Sequence, residues 1–461
     1  MVIIKIQNVL FFTLKEGTMF KGIYLLNFKM CGIKSVDKPI KFDFYKKTLS
    51  KNFNPNKYKI KAIYGENGAG RTAVILGVDL LKKLILNGRY LGDTSNQKYL
   101  GEVINKKQNE ARLECEYIVR TDEVRGVYRY VVEIKRQNEV YEIVHEKLES
   151  RRSLYINDSY RTVFETRNGE LLKLDGVNDE IYQIITNKTM NVLHMRTFAT
   201  SSLLATDFDS AYVNSKAFDD VFSIIYLALR TSTYLDKEDL HTRYILNSQL
   251  DEMSSEAIDP VIIRKAINYV YRDETAENID TVRIKMSDFE KYKEKIKRLE
   301  RYIQMFKKDL KEIIIDKRVV ADYFECRLNL DYGTYVIDVE FESTGIKKLI
   351  RIFERFNDAS DGKIVFIDEI DSNINDVYLG KFVEYFMYYG KGQLCFTLHN
   401  PSVMNVLRYN KKSIDFLATN NKVISWTTSG NASPEKAYKN GMIENLPFNI
   451  EPSDFLGILG E

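Results

Sequence analysis

Three short stretches of this 461-residue chain carry residue types whose spacing suits phosphate chemistry. The first, Gly65-Glu-Asn-Gly-Ala-Gly-Arg-Thr72, fits G-x-x-x-x-G-K-[ST] with Arg71 in place of the lysine. Glycines at Gly65, Gly68 and Gly70 let a backbone curl until its N–H groups face an anion. A helix starting at Arg71 would add its positive end to the same site. Asn67 and Ala69 complete the loop, and Thr72 offers a hydroxyl to Mg²⁺. The chemistry is the binding of a nucleoside triphosphate, ATP with Mg²⁺. A bare glycine turn is the alternative, but a strand-like YKIKAIY before the loop and a helical AVILGVDLLKKLIL after it match what the motif requires. Guanidinium is wider and planar where ammonium is compact. The sequence therefore predicts slow hydrolysis that Arg71→Lys would raise.

The second stretch, KIVFIDEID, places Asp368 and Glu369 at the end of an apolar strand. In an open α/β sheet, ligands gather beyond the carboxyl ends of strands. Asp368 suits a Mg²⁺ ligand and Glu369 a general base for water. The third, QLCFTLHNP, ends the next apolar strand with His399, placed to reach a terminal phosphate. Alone, acidic strand ends and histidines at strand ends are common features of surfaces and caps. Together with the glycine loop they form a pattern.

Around these stretches the sequence predicts an α/β protein. Phe20–Phe28 and Ile40–Phe44 read as paired strands. RLECEYIV, VYRYVVEIK, EVYEIVHEK and SLYIND, within 111–170, read as an antiparallel meander. Residues 178–275 read as mainly helical, with VFSIIYLALR a buried-type run. Phe289, Tyr292, Ile296, Leu299, Ile303, Phe306, Leu310 and Ile313 follow alternating steps of three and four, the period of a coiled coil. The favoured reading is a solvated helix whose seam packs on another helix of the same chain. Residues 281–320 hold 13 Lys/Arg against 7 Asp/Glu, so dimer or DNA-backbone contact is also open. From 334 on, TYVIDVEFE, KIVFID, GQLCFTL, SIDFLAT and KVISWT read as strands separated by helices, indicating a parallel sheet covered on both faces.

Composition bounds the rest. Hydrophobic residues make up 44% and charged residues 29%, with a net charge of +3, so no global field marks a nucleic-acid binder. Four scattered cysteines without a CxxC pair argue against zinc and for a reducing compartment. The start lacks a signal-peptide pattern, and no run suits a bilayer span. A cytoplasmic protein is expected, with 1–18 as an N-terminal extension.

The order GENGAGRT, FESTGIKKL, IVFIDEIDS, FTLHNPS resembles an ABC-type ATPase of the SMC/Rad50/OLD group. It is most similar to AAA15-type ATPases, which include ATPase subunits of anti-phage systems of the PARIS and AbiL types. The resemblance covers about residues 19–461 and includes the closing DFLG at 454–457. It implies an ABC-type P-loop ATPase head, with a parallel core sheet, an antiparallel β subdomain and a helical, short coiled-coil insert. The head halves would be 19–177 and 326–461, with 178–325 as the insert. It further implies that Ser343 and Gly345, before a helix start at 346, form a signature contacting ATP held by another subunit. Asp371 and Ser372 would be the D-loop, and His399 the switch histidine. Asn375 stands where relatives often have histidine, and the family's Q-loop glutamine has no assigned position.

By the same resemblance the partners are a second copy, joined head to tail around two ATPs, and a separate effector nuclease or toxin. About 60 residues follow His399, too few for the Toprim nuclease of some relatives, which needs roughly 100. The function expected is a regulatory ATPase of a two-component phage-defence system. The alternatives are a Rad50/RecF-like DNA repair ATPase and an ATP-assembled scaffold with little turnover.

Overall fold

The computed structural model describes residues 20–45, 49, 53–120, 125–151, 159–205, 211–235, 244–245, 263–264, 271–272, 281–408, 410, 412–427 and 433–443. The expected extension 1–18, the SLYIND strand and the closing DFLG lie outside them.

The protein is mixed α/β. The strands are β1 (Gly22–Cys31), β2 (Ile40–Asp43), β3 (Ile60–Gly65), β4 (Glu110–Arg120), β5 (Arg125–Gln137), β6 (Val140–Arg151), β7 (Arg161–Arg167), β8 (Glu170–Leu174) and β9 (Thr231–Tyr234). They continue with β10 (Tyr244–Ile245), β11 (Tyr271–Arg272), β12 (Thr281–Lys285), β13 (Glu312–Val320), β14 (Tyr323–Asp331), β15 (Val336–Asp338), β16 (Ile364–Ile367), β17 (Gln393–Thr397), β18 (Ile414–Leu417) and β19 (Val423–Ser425). The helices are α1 (Arg71–Leu86), α2 (Thr94–Val103), α3 (Asp179–Thr189), α4 (Phe198–Ala205), α5 (Lys216–Leu229), α6 (Phe289–Gln304), α7 (Thr344–Ser360), α8 (Asp376–Tyr389), α9 (Val403–Leu407) and α10 (Pro434–Lys439).

Apolar runs on both faces of a strand demand cover on both sides, and the central sheet has it. Its order is β19-β18-β3-β17-β16-β9, parallel throughout except for the antiparallel edge strand β19. Side chains alternate along β3. Ile63 joins Phe366 and Cys395 against α1 and α5, beneath the antiparallel sheet. Ala62 and Tyr64 join Val365 and Phe396 against α7, α8 and α9. The seven-stranded antiparallel sheet runs β2-β1-β4-β5-β6-β7-β8; β4, β5 and β6 are three of the expected meander strands and β1 and β2 pair as read, while β7 and β8 are strands the sequence reading did not name. Gln393 of β17 stitches the two sheets: its side chain accepts from the Leu25 N–H and donates to the Leu25 carbonyl.

The seam packs on another helix of the same chain, as the favoured reading had it, but its coiled-coil length is corrected. Helix α6 ends at Gln304, Leu310 lies in the following loop and Ile313 lies on β13. The seam is buried within its own chain, against β13, β14 and the Ile346, Leu349 and Phe353 side of α7. The periodicity outlasts the helix because loop and strand residues enter the same core.

Three further readings change. TYVIDVEFE forms only the three-residue β15 and then a 3-10 turn at Val339–Phe341. Within the expected helical insert, Thr231–Tyr234 forms β9 and pairs in parallel with β16 of the central sheet. Strand β14 runs through 325–326, where the insert was expected to give way to the second half of the head. Among the described residues no helix is long and apolar enough to cross a membrane. All four cysteines are free thiols.

Candidate nucleotide site

Three consecutive strands of the central sheet, β3, β17 and β16, end side by side and pointing the same way. The sequence-predicted residues follow those ends. After β3 the chain turns through Gly68 at φ 82° and Gly70 at φ 100°, left-handed values that favour glycine. A Cβ on Gly70 would stand 2.6 Å from Val36 Cγ2. The Ser35 hydroxyl donates to the Gly68 carbonyl at 3.0 Å, so the β1–β2 connection braces the loop. Helix α1 then begins with Gly70 as N-cap and no side chain capping its first turn. Those N–H groups suit an anion.

The acidic stretch is held by a residue the sequence reading did not single out. The buried Thr397 hydroxyl donates to Asp368 Oδ1 at 2.5 Å and accepts the Glu369 N–H at 2.8 Å. Asp368 is 1% exposed. Glu369 takes φ 42°, an uncommon conformation for a side chain of this size. Its Oε1 lies 3.3 Å from His399 Nε2. Asp371 Oδ2 accepts the N–H groups of His399 at 2.8 Å and Asn400 at 2.7 Å, fixing the turn after β17. Asp371 Oδ1 and Ser372 Oγ are buried without a hydrogen-bond partner.

Arg71 closes the gap between loop and strand ends. It is 7% exposed, and burial lowers its guanidinium below the usual pKa. One amino group donates to the Leu398 carbonyl at 2.7 Å; the other meets His399 Nε2 at 2.7 Å. Glycine loop, histidine and glutamate thus form one connected line across three strand ends. The chain matches no family model and no curated protein.

Ser343 and Gly345 stand elsewhere, on α7. The helix begins at Thr344 rather than 346. Ser343 Oγ caps it by accepting the Ile346 N–H at 3.4 Å, and Gly345 sits in its first turn. A Cβ on Gly345 would lie 2.8 Å from the Asn373 carbonyl, so this segment abuts the 371–375 turn of the same chain. Asn375 caps α8 by accepting the Val377 N–H at 3.0 Å, a task that suits asparagine. Among the described residues no cluster of three or more His, Cys, Asp or Glu side chains could hold a metal alone.

Proposed function

We propose that this chain is an ABC-type P-loop ATPase head that binds ATP with Mg²⁺ and hydrolyses it slowly. The observation that carries the reading is the convergence of glycine loop, Asp368–Glu369 and His399 on three neighbouring parallel strand ends, joined through Arg71. The loop N–H groups and the uncapped first turn of α1 would bind phosphate oxygens. Thr72 and Asp368 would hold Mg²⁺, which when bound neutralises phosphate charge. Glu369 would take the proton of the attacking water, oriented by its contact with His399.

Ser343 and Gly345 would serve a second copy's nucleotide in a head-to-tail dimer. An exposed apolar side chain two residues before Ser343 supports a surface of that kind: Phe341 at 75% exposure. By resemblance of motif order, the biological role is a regulatory subunit of a two-component anti-phage system, controlling a separate nuclease or toxin. A Rad50/RecF-like DNA repair ATPase is the second reading. It draws on Lys291, Lys297, Arg298 and Arg301, all exposed on the side of α6 opposite its buried seam. DNA-stimulated turnover that falls steeply with salt would favour it.

Calorimetry with ATP–Mg²⁺ tests the reading. Wild type and Glu369→Gln are expected to bind alike, with Glu369→Gln hydrolysing roughly 100-fold slower or worse. Arg71→Lys should hydrolyse faster than wild type. A folded wild-type sample that gives no heat of binding sinks the proposal.

A further inference from the structure

Arg71 stands at the lysine position of the loop, yet its side chain is already committed. Nη1 donates to the Leu398 carbonyl at 2.7 Å. Nη2 lies 3.3 Å from Asn67 Oδ1, and 3.0 and 2.7 Å from Nδ1 and Nε2 of His399. The lone pairs of the two ring nitrogens diverge, so one amino group near both lies against the ring rather than along one bond axis. Both η nitrogens are therefore engaged, one on the end of β17 and the other shared between the loop and His399. Lysine, with a single ammonium head, could not span these three partners at once.

We infer that Arg71 is a positioning residue that couples occupancy of the glycine loop to the imidazole of His399. The inference rests on the reading of the loop as a phosphate site. An anion entering the loop and the ring of His399 compete for the same Nη2. Turning that amino group toward phosphate releases His399, whose remaining side-chain contact is Glu369 Oε1 at 3.3 Å. The backbone of His399 stays fixed by Asp371, so the ring alone responds. Because the two events share one donor, the coupling is reciprocal: loosening Arg71 from His399 strengthens phosphate binding.

A double-mutant cycle read by ADP–Mg²⁺ calorimetry tests this on the full chain. ADP lacks the terminal phosphate that His399 would otherwise touch, so direct contact does not confuse the result. Wild type, His399→Ala, Arg71→Lys and the double variant are compared, each checked for folding by its Tm. His399→Ala should tighten ADP binding by about three- to tenfold, the order of one released cation–ring contact. In the Arg71→Lys background the same change should do nothing. If Arg71→Lys folds poorly, Arg71→Gln replaces it, keeping a donor toward Leu398. Unchanged or weaker binding by His399→Ala, or an equal shift in both backgrounds, overturns the coupling while the nucleotide site stands. If none of the folded proteins binds ADP or ATP, the phosphate reading itself fails.

Discussion

Thr397 governs the acidic end of the site through a single hydroxyl, donating to Asp368 and accepting from the Glu369 N–H. That second bond helps hold Glu369 at φ 42°, a conformation costing on the order of 1–3 kcal/mol. Thr397→Val keeps shape and removes both bonds, leaving Asp368 and the Glu369 N–H without this partner. Nucleotide-free protein should lose roughly 1–3 kcal/mol in urea unfolding, with weaker Mg²⁺-dependent ATP binding. An unchanged urea midpoint would refute this role. That the glycine loop, the acidic pair and His399 each follow an apolar strand was legible from type and spacing. Thr397 was not. A threonine in FTLH reads as an ordinary strand former. Its task follows from the parallel register of β16 and β17, Phe366 opposite Cys395 and Ile367 opposite Phe396, which no local pattern encodes. The commitment of Arg71 to His399 was equally invisible, since it spans 328 residues of sequence.

Among the elements, α4 depends on a buried acid. Glu146 of β6 accepts the Phe198 N–H at 2.6 Å, at the start of α4, and the Tyr130 hydroxyl at 2.8 Å. Burial pushes its carboxyl up from 4.5 to about 7 despite those donors. A carboxyl raised on folding binds its proton more tightly in the native state. Its contribution is therefore present below about pH 4.5 and lost as pH rises to about 7. The loss amounts to roughly 3 kcal/mol at most. Glu146→Gln should flatten the Tm-against-pH curve over that window relative to wild type; parallel curves would refute the assignment. The helices were largely readable from 3.6-residue periodicity and the meander from alternation. The seam misled over its last part, because burial keeps its spacing while the backbone changes from helix to strand. Strand β9 escaped because four residues, TSTY, carry too little pattern to stand apart from the helix before them.

Across the whole molecule, α7 ties the parts together. Ile352, Phe356 and Ala359 pack on the central sheet, while Ile346, Leu349 and Phe353 enter the core of α6, β13 and β14. Its first turn carries Ser343 and Gly345, so a ligand gripping that turn from outside would bear on both cores. Mass measurement of Glu369→Gln should show a doubling with ATP–Mg²⁺ that ADP does not give and that Ser343→Arg prevents. A mass that does not change with ATP–Mg²⁺ would refute the ATP-bridged dimer. The sandwiching of β3 between β17 and β18 has a consequence for biogenesis. The segment carrying Arg71 emerges from the ribosome 327 residues ahead of Leu398, a lag of roughly 15–70 s at ordinary translation speeds. Throughout that interval the apolar β3 waits with neither flanking strand made. Until then the nascent polypeptide needs shielding from aggregation, and the three strand ends of the candidate site can come together only after β17 has been made.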